Sequence, residues 1–108
     1  MLIDEIQTVN DLLSQSIKSL KHTSQAYASA ERDYKILLRQ EALKLKDEGM
    51  AIGLINLTCY GIPSVAEARF KRDIAEANYK ANQEAIQAFK LQLRLMDAQA
   101  QRDWSVNE

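Results

Sequence analysis

Hydrophobic residues recur every three or four positions over the first half of the chain. Ten positions between residues 9 and 41 follow this spacing, and seven of them are apolar or aromatic. They are Val9, Leu13, Ser16, Leu20, Thr23, Tyr27, Ala30, Tyr34, Leu37 and Glu41. Because this spacing is typical of one face of an α-helix, the pattern predicts an amphipathic helix over residues 3–48.

The second half of the chain has two apolar stripes at helical spacing, and it predicts a helix over residues 64–104. The first stripe comprises Phe70, Ile74, Ala77, Ala81, Ala88, Leu91, Leu95 and Ala98. The second stripe comprises Tyr79, Ile86, Phe89, Leu93, Met96, Ala100 and Trp104. A helix in an isolated hairpin needs one apolar stripe, so two stripes indicate contact with more than one neighbouring helix.

An uncharged connector, residues 49–63, separates the two long patterns. Met50, Leu54 and Leu57 lie at positions i, i+4 and i+7, which predicts a short third helix or an apolar cap at the turn. After the connector, Ser64 and Glu67 have the spacing of a capping box, which predicts that the second long helix starts with Ser64 as its N-cap.

Composition favours an all-α fold. One proline and three glycines are too few for a protein with many β-turns, and Ala, Leu, Gln, Glu, Lys and Arg are good helix formers. We expect a single domain, residues 1–108, that forms a long antiparallel, coiled-coil-like helical hairpin. With the turn centred near residue 57, facing residue numbers sum to about 114, and Tyr34 lies near Ala81.

A hairpin of this length buries a small core, so we expect a homo-oligomer in which the hairpins assemble into a helix bundle, most simply as a dimer. Partner or oligomer contacts are expected at ten apolar residues of the connector and the second stripe. These are Ile52, Leu54, Ile55, Leu57, Tyr60, Ile86, Phe89, Leu93, Met96 and Trp104.

Residues that could support catalysis are scarce. The single histidine, His22, has no carboxylate three or four positions away, so the sequence has no set of metal ligands at helical spacing. The single cysteine, Cys59, lies in the apolar connector, where a buried thiol is the simpler interpretation than a nucleophile. We expect no enzymatic activity, no metal, no cofactor and no small-molecule substrate.

The overall formal charge is −1, but basic and acidic residues are unevenly distributed along the chain. Residues 18–46 have seven basic and three acidic side chains, and residues 68–96 have six basic and three acidic ones. An electrostatic surface for nucleic acid is one interpretation, and ordinary solvated helix faces are the other. The positions to test are Lys35, Arg39, Arg72, Lys80, Lys90 and Arg94.

The longest uncharged run, residues 49–66, is a poor candidate for a membrane span because it includes three glycines and a proline. The acidic start of the chain lacks the basic and apolar regions of a signal peptide. We therefore expect a cytoplasmic protein that does not bind membranes.

The segment ARFKRDIAEANYKANQEAIQAFKLQLRLMDAQAQRDW, residues 68–104, resembles small helical proteins from the recombination and replication regions of bacteriophages and prophages. The resemblance lies in layout and composition, and it extends loosely to recombination mediators of the UvsY type. It implies a location in the host cytoplasm and a binding role in DNA recombination or replication, on nucleic acid or its protein machinery. The alternative is a protein-interaction module, such as an inhibitor of a host nuclease or CRISPR complex, or a coiled-coil adaptor.

Overall fold

A computed structural model describes residues 1–107, and these residues form three helices. Helix α1 spans Leu2–Asp47, α2 spans Ile52–Tyr60 and α3 spans Pro63–Asn107. The predicted all-α class is confirmed, as is the packing of the two long helices against each other, and the connector forms the predicted short helix. All ten positions that predicted the apolar face of α1 are buried or half-buried.

Helix α1 ends in a Schellman motif at Gly49. The amide of Gly49 donates to the carbonyl of Lys46 over 3.0 Å, and the amide of Met50 donates to the carbonyl of Leu45 over 3.1 Å. Gly49 has φ +90°, a conformation that favours glycine because it has no Cβ atom. The motif ends α1 and turns the chain into α2.

Helix α3 begins at Pro63, so the predicted capping box is wrong and the N-cap lies two positions before Ser64. The carbonyl of Ile62 accepts a hydrogen bond from the amide of Ala66 over 2.9 Å, which makes Ile62 the N-cap residue. Proline is favoured in the first helical position because it has no amide hydrogen to satisfy and its φ is already helical. Ser64 therefore lies inside the first turn of α3.

The structure divides into two compact units. The first, which we call the terminal unit, comprises residues 1–22 of α1 and the part of α3 from Tyr79 onwards. Its buried apolar side chains are Val9 and Ile86. Asn82 of α3 donates a hydrogen bond to the carbonyl of Ser16 in α1 over 2.8 Å.

The second unit, which we call the central unit, comprises Thr23–Asn78 and includes the end of α1, all of α2 and the start of α3. Its buried side chains come from all three helices and are Tyr34, Ile55, Cys59 and Val65. Val65 is 0% exposed and Cys59 is 1% exposed, so the core of this unit lies where α2 meets the start of α3.

The two long helices are antiparallel within the central unit, but the predicted register is wrong. The guanidinium of Arg72 lies over the ring of Tyr34, so this pair sums to 106 instead of 114, and Tyr34 does not face Ala81. The shift arises because α2 packs alongside the last turns of α1, where Leu43 and Ile52 line one groove. Helix α3 consequently starts near Leu37, which lines a second groove together with Ser64.

Candidate functional site

Helix α2 has a buried face and an exposed face, and both have apolar side chains. Ile55 and Cys59 are spaced four residues apart and are 8% and 1% exposed, so they belong to the core of the central unit. Ile52 and Leu57 are 77% and 75% exposed, and Leu54 is also exposed. The exposed part of α2 also has the polar residues Asn56 and Thr58 but no charge, so the fold leaves several large apolar side chains of this helix in contact with solvent.

An open groove of about 340 Å³ runs between this helix and the end of α1, and we call it the α1–α2 groove. It is lined by Arg39, Ala42, Leu43, Lys46, Ile52, Ile55 and Asn56. The side chains of Leu43 and Ile52 are more than half exposed, and that of Ile55 forms the buried part of the lining. The groove thus has an apolar lining with two cations on its α1 edge.

These two cations, Arg39 and Lys46, differ from their neighbours on α1. Within residues 1–107, neither of them makes an ion pair or a side-chain hydrogen bond. By contrast, Lys35 pairs with Glu31 over 3.2 Å, and Lys44 pairs with Glu41 over 3.2 Å. The edge of the groove therefore has unneutralised positive charge next to apolar side chains.

A satisfied polar cluster lies between α1 and α3 in the same unit. Glu31 accepts a hydrogen bond from the guanidinium of Arg72 over 3.2 Å, and the same guanidinium lies 4.7 Å from the centre of the Tyr34 ring. Arg72 also donates to Asp73 over 2.8 Å. This bond to Asp73, supported by Glu31 and opposed by burial, raises the pKa of Arg72 above its ordinary value.

Tyr27 extends this cluster along α1. Its hydroxyl is hydrogen-bonded to Glu76, and this bond raises the pKa of Tyr27 above the ordinary value for a tyrosine. Partial desolvation and the charges of Glu76 and Glu31 act in the same direction, whereas Arg72 opposes them. The cluster joins the two helices. In the described part of the chain, no buried polar side-chain atom lacks a hydrogen-bond partner.

The predicted contact residues divide into exposed and buried sets. Ile52, Leu54, Leu57, Tyr60 and Trp104 are exposed. Ile55 and Ile86 are buried, and Phe89, Leu93 and Met96 are half-buried. The second stripe faces α1 from Tyr79 to Met96, as the bond from Asn82 to Ser16 on the same side of α3 indicates, so these residues are used within the chain, whereas Trp104 is not.

The first stripe of α3 was not among the predicted contacts, yet it is the uncovered one. Phe70, Ile74, Leu91 and Leu95 are all exposed. Both stripes have the same spacing, so periodicity could not distinguish them. Glu84 could have identified the solvent-facing stripe. It continues the three-and-four spacing of the first stripe, and a charged residue indicates the solvent side.

The predicted nucleic-acid positions are not gathered into one basic surface. Arg72 is half-buried and paired, Lys35 is paired with Glu31, and Arg39 lies on the α1–α2 groove. Lys80, Lys90 and Arg94 are exposed on α3 in the terminal unit. The central unit has eight basic and eight acidic residues, and the remainder of the chain has six basic and seven acidic ones, so neither has a net positive charge.

Cys59 and His22 are residues whose side chains could support catalysis or metal binding. Cys59 is a free, buried thiol, and His22 is exposed on α1. Within residues 1–107, no three residues among the histidine, cysteine, aspartate and glutamate side chains come together as a metal site. In the same range, none of the helices combines the length and the apolar character that crossing a membrane requires.

Tyr60, at the end of α2, links this helix to α3. Its ring is contacted by the guanidinium of Arg69, which lies 5.6 Å from the ring centre. This contact fixes the end of α2 while leaving part of the ring exposed.

Comparison of the chain with protein families, with characterised proteins and with solved structures finds no match.

Proposed function

We propose that this chain is a non-enzymatic helical module that binds a protein partner through the exposed face of α2. The observation that supports this is the two-sided apolar character of α2, which places Ile52, Leu54 and Leu57 in solvent on a helix without any charge. An exposed apolar face of this kind is costly in water and is typical of an interaction site.

The geometry favours a protein over a nucleic acid as the partner of the central unit. Four of its basic side chains, Arg32, Lys35, Lys44 and Arg72, pair with acidic residues of the same unit. On the α1 part of this unit only Arg39 and Lys46 remain unpaired within residues 1–107, and the formal charge of the unit is zero, so the electrostatic attraction for phosphates is small. Apolar burial is then the larger available source of binding free energy.

Site-specific photo-crosslinking tests this proposal. A chain with Leu54→p-benzoylphenylalanine, expressed in its native cells, is expected to form one discrete protein adduct on irradiation. Adding Leu57→Asp to the same chain is expected to abolish the adduct, because a charge on the exposed face of α2 opposes apolar burial.

Two controls make the result specific. The same photoreactive residue at Gln87, on the polar side of α3, is expected to give no such adduct. Circular dichroism is expected to show the same helix content with and without Leu57→Asp. If position 54 gives no discrete adduct, or one that persists with Leu57→Asp, the proposed binding face is wrong.

Self-association is a second proposed property, and the uncovered first stripe of α3 supports it. In the terminal unit, Leu91 and Leu95 are 50% and 61% exposed and lie one turn apart. We expect sedimentation equilibrium to show a homo-oligomer that the double change Leu91→Gln/Leu95→Gln converts to a smaller species. A stable monomer of the unchanged chain at micromolar concentration contradicts this proposal.

A role on DNA is the second candidate function. Its structural support is Lys90 and Arg94, which lie one turn apart, are exposed, and make no ion pair within residues 1–107. The resemblance to phage recombination and replication proteins supports the same role. If neither single-stranded nor duplex DNA binds at about 50 mM salt, where phosphate contacts are strong, this candidate is wrong.

A further inference from the structure

The part of α1 that lies in the central unit has two cations that are unpaired within residues 1–107, and both lie on one groove. Lys46 lies in the last turn of α1, where the helix dipole favours a positive charge in any protein. Arg39 lies two turns earlier, beyond the last turn in which the helix dipole acts. Both line the α1–α2 groove, with Ala42 and Leu43 between them on the same helix.

The spacing of Arg39 and Lys46 along α1 determines which kind of helix could bind in the α1–α2 groove. Arg39 and Lys46 are seven residues apart, which is two helical turns or about 10 Å along α1. The lining between them and across to α2 is mostly aliphatic, from Leu43, Ile52 and Ile55, with the amide of Asn56 as its one polar contribution from α2. A helix laid along this groove would present carboxylates at the same seven-residue interval, with aliphatic side chains between them.

We propose that the α1–α2 groove binds an amphipathic helix of a protein partner whose carboxylates, spaced seven residues apart, pair with Arg39 and Lys46. This inference rests on the proposed function, because Ile52 belongs both to the exposed part of α2 and to the groove, and it adds the chemical class of the partner. The cations would give the bound helix its position and direction, while the aliphatic contacts would supply most of the affinity.

A peptide charge swap tests the proposal. The probe is a fluorescein-labelled synthetic helix of about 16 residues with Glu at two positions seven apart and Leu between them. A matched probe has Lys in place of both Glu residues. In fluorescence anisotropy, the unchanged chain is expected to bind the Glu peptide about tenfold more tightly, since each exposed pair changes affinity by about threefold.

The variant R39E/K46E is expected to reverse this preference and bind the Lys peptide more tightly. The matched control K90E/R94E makes the same change in net charge on exposed residues of α3, and it is expected to keep the preference for the Glu peptide. Circular dichroism is expected to show the helix content of the unchanged chain in both variants, so that a reversed preference belongs to the folded chain.

Several outcomes would overturn the inference. Equal binding of the two peptides by the unchanged chain, or an unchanged preference in R39E/K46E, removes the role of the two cations. An oligomer that R39E/K46E dissociates assigns the groove to a second copy instead. Loss of duplex DNA binding in R39E/K46E, without a peptide preference, assigns it to nucleic acid.

The crosslinking experiment distinguishes a failure of this inference from a failure of the proposed function. If the adduct at position 54 is lost with Leu57→Asp but kept with R39E/K46E, the protein-binding face stands and the acidic helix is wrong. If no adduct forms, the proposed function itself fails, whatever the peptides show.

Discussion

Two stretches of α1 in the central unit differ in how far their side chains are buried or paired by other residues of the chain. Residues 27–37 face α3, where Tyr34 is buried and Glu31, Tyr27 and Arg72 all have hydrogen-bond or ion-pair partners. Residues 39–46 face α2, where Leu43 is exposed and Arg39 is unpaired within residues 1–107. The polar side chains of the first contact are paired within one chain, whereas the second has the character of half an interface.

The largest effect is expected in the core of the central unit, at Val65. This side chain is 0% exposed, and Val65→Asp would bury a charge without a partner. We expect it to lower the free energy of unfolding by more than about 3 kcal/mol in urea denaturation. The matched change at the next residue, Ala66→Asp, lies on the exposed side of α3 and is expected to cost about 0.5 kcal/mol or less.

A second pair of variants compares the paired and the unpaired arginine directly. Arg72→Met removes the bonds to Glu31 and Asp73 and the contact with Tyr34, and we expect a loss of about 1–3 kcal/mol. Arg39→Met removes no partner within residues 1–107, so its unfolding free energy should change by about 0.5 kcal/mol or less. Equal losses in the two variants would contradict the distinction between the two contacts.

A third pair tests the backbone at the two ends of the link between α1 and α2. Gly49→Ala forces a side chain into a left-handed conformation and is expected to cost about 1–2 kcal/mol. Gly53 lies inside α2 and has no heavy atom within 4 Å of an added Cβ. Gly53→Ala is therefore expected to stabilise the protein by about 0.5–1 kcal/mol, as thermal denaturation can show.

The smallest effect is expected from pH at Tyr27. Because its pKa is raised in the folded protein, the protonated phenol stabilises the fold below the unfolded pKa of 10.0, and this contribution is lost as pH rises through the folded value. Tyr27→Phe should therefore make unfolding less sensitive to pH above 10 than in the unchanged chain. An identical alkaline dependence in both proteins would contradict the bond to Glu76.

Periodicity was enough to predict the three helices and the face of α1 that is covered. It could not predict the register, because the packing of α2 beside Leu43 depends on tertiary contacts that no local pattern records. It also could not tell which stripe of α3 faces α1, since both have the same spacing. The Ser64 capping box failed because Pro63 competes for the first helical position.

The candidate site was only partly predictable for the same reason. The uncharged connector already indicated a contact surface, and Ile52, Leu54 and Leu57 are indeed exposed. The sequence did not show that Arg39 and Lys46 lack ion pairs in the described part of the chain. Whether a cation is paired depends on which acidic residues the fold places within reach. Glu31 and Glu41 reach their neighbours Lys35 and Lys44, and no carboxylate reaches the groove within residues 1–107.

The most direct test of this account is the unfolding free energy of Leu57→Asp, measured in urea beside Ile55→Asp as a reference. The two residues lie on opposite faces of one helix, and Leu57 is 75% exposed whereas Ile55 is 8% exposed. We predict that Ile55→Asp loses more than about 3 kcal/mol while Leu57→Asp stays within about 0.5 kcal/mol of the unchanged chain. A comparable loss in Leu57→Asp would show that the outer face of α2 belongs to the core, and it would contradict the account.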